Sequence, residues 1–288
     1  MVADGYELRP VEVSEAGLAA CGTLLRHVFP HTSQFTDAYL AWQYVQNPVG
    51  PVVGVNAYAG DALAAHYVTL PMEARVGGVT VRGLLSLNTA THPDHQGKGL
   101  FTALAEATYA AGADGGYRFV VGVANANSTP GFTRKLGFDL VAPLDARIGV
   151  GPVGQAENPS EVGFERHWDQ PSLAWRLANP SAQYRLRTKG RRVAISAGTD
   201  RPGVSALLGT FDAGLRPPGV ADGSIGPRPL TLWIGLDPDV AATRRAYVRV
   251  PERFRPSPLN LIHRSLGAGD QSVRADDVRI RALDFDPY

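Results

Sequence analysis

The residues best placed to do chemistry lie in one run, Thr91 to Leu104, which reads T-H-P-D-H-Q-G-K-G-L-F-T-A-L. Apolar, strand-forming residues from Val79 to Leu87 lead into it, and a helical pattern leaves it. Between the two stands Gln96-Gly97-Lys98-Gly99. A glycine-rich turn that opens a helix presents several backbone N–H groups without partners, at the positive end of the helix dipole. Such a turn holds a phosphate or pyrophosphate, so the segment implies a phosphorylated cofactor. Two nucleotide motifs fail here. A P-loop would need glycine at His92 and a hydroxyl residue at Gly99; a dinucleotide fingerprint would need glycine at Thr102.

The elements that must position this turn follow from pattern. Tyr6 to Val13 alternates as a strand, and Ser14 is placed to cap a helix whose Leu18, Cys21, Leu24, Leu25 and Val28 share one face, ended by Pro30. A second helix is predicted over Asp37 to Gln46, stopping before Pro48. Strands are predicted at Val52 to Tyr58, Ala62 to Leu70 and Val79 to Thr91, with Gly60-Asp61 turning the first pair. A helix over Leu100 to Ala111, a strand over Tyr117 to Ala124 and a short helix from Thr129 to Leu136 come next. Gly137 is placed to end that helix, before strands at Phe138 to Val141 and Ala146 to Val150. Further on, Leu173-Ala174-Trp175-Arg176 with Asn179-Pro180 echoes Leu40-Ala41-Trp42-Gln43 with Asn47-Pro48, which points to an internal duplication. The second copy has no glycine turn after a strand.

Bulk properties narrow the function. The 288 residues are 44% hydrophobic, enough for a large core, and Lys+Arg (28) nearly cancels Asp+Glu (27). The balance carries no nucleic-acid footprint, and the basic run Lys189 to Arg192 reads as a solvated loop. Cys21 is the single cysteine, which excludes an internal disulfide and a cysteine-rich metal site; it reads as core. The seven histidines show no metal-ligand spacing, so no metal is expected. No signal peptide and no apolar run of roughly 20 residues is visible, so a cytoplasmic protein without membrane association is expected.

A second motif fits the first. Asn125-Ala126-Asn127-Ser128-Thr129-Pro130-Gly131-Phe132, closing at Lys135-Leu136-Gly137-Phe138, follows the glycine turn in order, again after a strand. Together the two segments resemble the GNAT acetyltransferase superfamily, whose acyl-CoA loop reads Q/R-x-x-G-x-G/A and whose later motif is a strand, an Asn, a short helix and K-x-G-F. Gln96 and Gly99 match; Phe101 stands where Gly or Ala is usual. The resemblance covers about residues 5–150.

The resemblance implies a mixed α/β GNAT fold, a central mixed sheet flanked by helices, with a smaller degenerate GNAT-like half behind it. The expected organisation is a cofactor domain over 1–150, a linker over 151–165 and the degenerate half over 166–288. Thr89, Ala90 and Thr91 would offer backbone groups to the pantetheine arm of acetyl-CoA where two strands splay. Gln96 and the amides of Gly97, Lys98, Gly99, Leu100, Phe101 and Thr102 would hold the pyrophosphate, with Lys98 either adding charge or facing solvent. Asn127 would contact the cofactor arm or cap the short helix. Relatives often carry a catalytic Tyr where this chain has Thr133, whose hydroxyl can hydrogen-bond without being assumed an acid. His66, on a strand facing the presumed cleft, is the first candidate base, with His92, His95 or a water relay as alternatives; Asn88 could orient the acceptor. Pro258 to Ile262 and Leu283 to Asp286 resemble segments of tandem members, including sugar N-acyltransferases. Asp284 and Asp286 are expected on a half-buried strand, with the second half closing over the acceptor pocket. The expected activity is acyl transfer to the primary amine of a small molecule, an amino sugar being one candidate, with a homodimer as a possible assembly. A non-catalytic acyl-CoA-binding protein and a scaffold that has lost CoA remain the alternatives.

Overall fold

The computed structural model describes residues 5–153, 159–218, 228–241, 247–251, 254–255, 257–267 and 272–285. A short strand β1 (Glu7–Pro10) leads to α1 (Glu15–Val28), where the Gly17 amide donates to Ser14 Oγ at 3.2 Å. Helix α2 (Asp37–Tyr44) starts at Thr36, whose hydroxyl accepts from the Tyr39 amide. Strands β2 (Val53–Ala59), β3 (Ala62–Val76) and β4 (Val79–Thr91) form an antiparallel meander with β1 at its edge. Helix α3 (Leu100–Asp114) then carries the chain back to β5 (Phe119–Ala124), parallel to β4, as such a crossover must. Helix α4 (Thr129–Lys135) and β6 (Asp139–Pro143) follow.

Alternation along β3 sorts the core onto two faces. Val68, Leu70 and Met72 pack with Leu25, Leu40 and Tyr44 of α1 and α2. Ala65 and Tyr67 pack with Leu100, Leu104 and Tyr109 of α3.

The second half repeats this plan in reduced form. After β7 (Asp145–Val150) and β8 (Phe164–Arg166), helix α5 (Gln170–Leu177) precedes a meander of β9 (Tyr184–Lys189), β10 (Arg192–Gly198) and β11 (Val204–Asp212). Strand β12 (Leu230–Leu236) runs parallel to β11, as β5 does to β4. Then come α6 (Pro238–Ala241), β13 (Tyr247–Arg249), β14 (Asn260–Ser265), β15 (Val278–Arg281) and α7 (Ala282–Phe285).

The echoed motifs meet in space. The Trp42 and Trp175 rings stack 4.9 Å apart at 14°, and each indole N–H donates to the other residue's carbonyl, at 2.7 and 2.9 Å. Both Asn-Pro pairs make the same turn, with Val49 N–H donating to Asn47 Oδ1 and Ser181 N–H to Asn179 Oδ1.

The halves also exchange strands. β14 inserts between β5 and β6, while β7 pairs with β12 and β13. β8 and β15 bridge β3 to β12, so hydrogen bonds connect all the described strands. In the second half the gap beside β12 is occupied. β11 pairs with it only as far as Trp233, and β15 takes over at Gly235 and Leu236. Residues 282–285 form α7 instead of the expected strand, because Asp284 is buried. Its carboxylate accepts from Trp168 Nε1 at 2.8 Å and the Arg281 amide at 2.7 Å. Asp286 lies outside the described residues.

Candidate active site

β4 and β5 pair at Leu84–Val120 and Leu85–Val121 and then part. A bulge aims β4 away. The β3–β4 register jumps from His66–Ala90 to Val68–Leu87, and Asn88 sits at φ 46. It is the one non-glycine residue with positive φ among the described residues, and Asn is among the side chains that tolerate this conformation best.

The parting strands enclose a cavity of about 500 Å³ that passes through the sheet. Phe29, at the end of α1, lines it from one face; Phe101 and Phe132, on α3 and α4, line it from the other. Ser86 and Gly122 form the apex, where a Cβ on Gly122 would stand 3.3 Å from that of Ser86. Ile262 of β14 closes the wall from the second half of the chain.

The glycine turn stands at the start of α3. Gly97 and Gly99 both lie at φ +75, and nothing surrounds a Cβ at either within 4 Å. Conformation, not crowding, therefore requires glycine there. Leu100 is buried and anchors the first helical turn, which begins with the Ala103 amide donating to Gly99 O at 3.2 Å. Among the described residues no protein acceptor meets the amides of 97–102. Gln96 to Gly99 are exposed. Lys98 Nζ donates to the Tyr6 hydroxyl at 3.0 Å, and that hydroxyl lies 2.6 Å from His95 Nδ1. His92 stacks on His27 at 4.6 Å. Lys98, His92 and His95 thus belong to a rim beside the turn. Phe101 packs across to α4, against Gly131 and Phe132, and becomes cavity wall.

The other expected site residues fall into distinct places. Asn88 and Thr89 line the cavity; Ala90 is buried and Thr91 ends β4. Asn127 also lines it and does not cap α4, whose N-cap is Ser128; Asn125 holds the turn before the helix, its Oδ1 accepting from the amides of Asn127 and Ser128 at 3.0 and 2.9 Å. Thr133 does not reach the wall; its hydroxyl donates to Thr129 O at 3.0 Å within α4. His66 lies behind the cavity rather than facing the cleft. It is 0% exposed, and burial pushes its pKa down to about 3, so the ring is neutral.

His66 joins a directional network. Asn88 Nδ2 donates to Gln43 Oε1 at 2.6 Å and to the Tyr44 hydroxyl at 3.1 Å. Tyr44 lies 2.8 Å from His66 Nε2, and His66 Nδ1 lies 2.7 Å from Asn56 Oδ1. With Asn88 donating, Tyr44 gives its proton to Nε2, and Nδ1–H donates to Asn56. Both Asn88 N–H groups are spent, which leaves its Oδ1 for the cavity. On the opposite face, Tyr109, Tyr67 and Ser86 form a hydroxyl chain with contacts of 2.7 and 2.8 Å. Burial pushes the Tyr67 hydroxyl up to about 12 and that of Tyr109 further, so both keep their protons.

Sequence reasoning missed Phe29, Ser86, Asn125 and Ile262. Phe29 stood directly before the helix-ending Pro30, and Asn125 opened the second motif; both carried a signal. Ile262 had none, since its place depends on strand exchange.

Residues 9–141 match the acetyltransferase (GNAT) domain family. Several solved structures are similar over 91% of this chain. One is described as a conserved protein of unknown function and probable N-acyltransferase from Enterococcus faecalis V583, at 11% identity, 73% of its chain and TM-score 0.62. Two others are a GCN5-related N-acetyltransferase from Anabaena variabilis (13%, 73%, 0.61) and Eis1 from Mycobacterium abscessus (12%, 74%, 0.61). At these identities the likeness is one of fold. A curated protein named thymidylate kinase, from Paracidovorax citrulli, is 32% identical over 114 residues. That match covers 40% of this chain and 47% of the relative, so the chain spans about half of that protein's length.

Proposed function

We propose, since residues 9–141 match the acetyltransferase (GNAT) domain family, which uses acyl-CoA, that the chain transfers an acetyl group from acetyl-CoA to the primary amine of a small molecule. The observation that carries this reading is the row of unpartnered amides over 97–102 beside a slot between β4 and β5. The diphosphate would rest on those amides and the pantetheine arm would run along β4 past Thr89, with Asn127 beside it. The thioester would then reach the apex at Ser86, and the amine would enter past Phe29.

Direct attack forms the C–N bond and breaks the C–S bond. The nitrogen gives up a proton and the departing sulfur takes one. Asn88 Oδ1 would accept from an amine N–H and aim the lone pair. Tyr109 donating to Tyr67, and Tyr67 to Ser86, leaves the Ser86 proton for the thioester oxygen or the sulfur. Ser86 thus fills the role for which Thr133 is unavailable to the cavity, and His66 acts as a positioning residue that fixes Tyr44 and Asn88.

Two measurements test the proposal: coenzyme A should raise the melting temperature, by about 2.7 kcal/mol of added stability at 100 times its Kd, and amines with acetyl-CoA should release free thiol. Binding without turnover over a broad amine panel would make the chain a non-catalytic acyl-CoA-binding protein.

A further inference from the structure

We infer, resting on that transferase reading, that Asn260 and Ser257, from the second half of the chain, are positioning residues for the pantetheine arm in the first half's cofactor site. β14 lies antiparallel along β5, with Ile262 opposite Gly122, Leu261 opposite Val123 and Asn260 opposite Ala124. The pairing ends where β5 gives way to the turn 125–129, which carries Asn127 on the cavity wall. Two side chains reach past that strand end. Asn260 Nδ2 donates to Thr129 Oγ1 at 2.9 Å, and the Thr129 hydroxyl donates in turn to Asn125 O at 2.7 Å. Ser257 Oγ accepts from the Ala126 amide at 3.1 Å. Each of the two contacts joins residues 131 apart in the chain. Together they grip the turn on either side of Asn127.

The splay of the sheet explains why such a grip is needed. β5 is bonded to β4 only at Val120 and Val121, so its end is released on that edge. Its other edge is held by β14 as far as Ala124. Asn125 Oδ1 gives the turn its own shape by accepting from the Asn127 and Ser128 amides. Those local bonds do not fix how far the turn stands from β4; β14 and Ser257 do. A wall already in place spares a binding arm the cost of ordering it. By linkage, an arm that binds the placed wall tightens β14 onto the turn in return. The diphosphate, on the amides of 97–102 at the start of α3, takes no part in this.

The test sets two probes against the full chain by calorimetry: coenzyme A, and ADP, which brings the diphosphate without the arm. Asn260→Ala should raise the coenzyme A Kd about 5-fold, the loss of one hydrogen bond. Asn260→Ala combined with Ser257→Ala should raise it at least about 10-fold. ADP should bind both variants within about twofold of the parent chain, since its site shares no partner with the two bonds. Hydrogen exchange on the parent chain gives a second reading that needs no variant. Coenzyme A should slow the amides of 125–129 and of 260–265 together, and ADP should leave them unchanged. An unchanged coenzyme A Kd in the double variant would overturn the inference. So would an equal loss for both probes, the mark of a merely structural role, or exchange over 260–265 indifferent to coenzyme A. Failure of the parent chain to bind coenzyme A would instead remove the transferase reading beneath.

Discussion

Gly99 begins α3 at a φ that strains any L side chain, although the space around it is empty. Gly99→Ala should therefore cost about 1 kcal/mol of stability, read by urea denaturation. Gly99→Asp should in addition weaken coenzyme A at least about 10-fold, because its carboxylate would face the diphosphate; an unchanged Kd by calorimetry would place the phosphates elsewhere. Ser86→Ala should lower kcat by about 10²-fold while leaving the coenzyme A Kd within about twofold, the pattern of a lost transition-state donor. His66 makes a prediction about pH. Its folded pKa, pushed down to about 3, lies below the 6.5 of a free imidazole, so the unfolded chain binds more protons between those values. The stability from neutral His66 is complete above pH 6.5 and drains as pH falls toward 3. The protein should be about 2 kcal/mol less stable at pH 5 than at pH 7, and His66→Gln should flatten that slope. The glycines were legible in sequence because a positive φ selects their type. The roles of His66 and Thr133 were not, since each depends on where a neighbouring acceptor lies: Tyr44 and Asn56 for one, the Thr129 carbonyl for the other.

Among the elements, α2 and α5 hold the halves together through Trp42 and Trp175. A double-mutant cycle with Trp42→Leu and Trp175→Leu should show coupling of about 1 kcal/mol, since the stacking needs both rings, while the two hydrogen bonds end on backbone carbonyls and are lost one with each substitution. Additive losses would mean that the two indoles act separately. Most helices and strands could be read from periodicity and caps, including Ser14 before α1, because those signals are local. The Asn88 bulge could not, as it is set by the register between β3 and β4. The strand expected over Leu283 to Asp286 became α7 for a similar reason. Alternation promised one exposed edge, but Trp168 and the Arg281 amide draw Asp284 inside.

On the scale of the whole molecule, the echo of Trp42 in Trp175 marks two segments that pack together, yet nothing local told β7 and β14 to trade places. Strand pairing is chosen by burial across the fold, and a chain pattern is silent on which of two similar edges a strand will join. No helix among the described residues is long and apolar enough to cross a membrane. The trade has a consequence in time. Ile262 completes the slot, but it is made well after β5 leaves the ribosome. At 5–20 residues per second the interval is on the order of ten seconds. Through that interval the edge of β5 stands open, a hazard for mispairing between nascent chains and a natural place for a chaperone to act. A transcript cut short before codon 260 should yield a product that captures no coenzyme A, however intact its glycine turn.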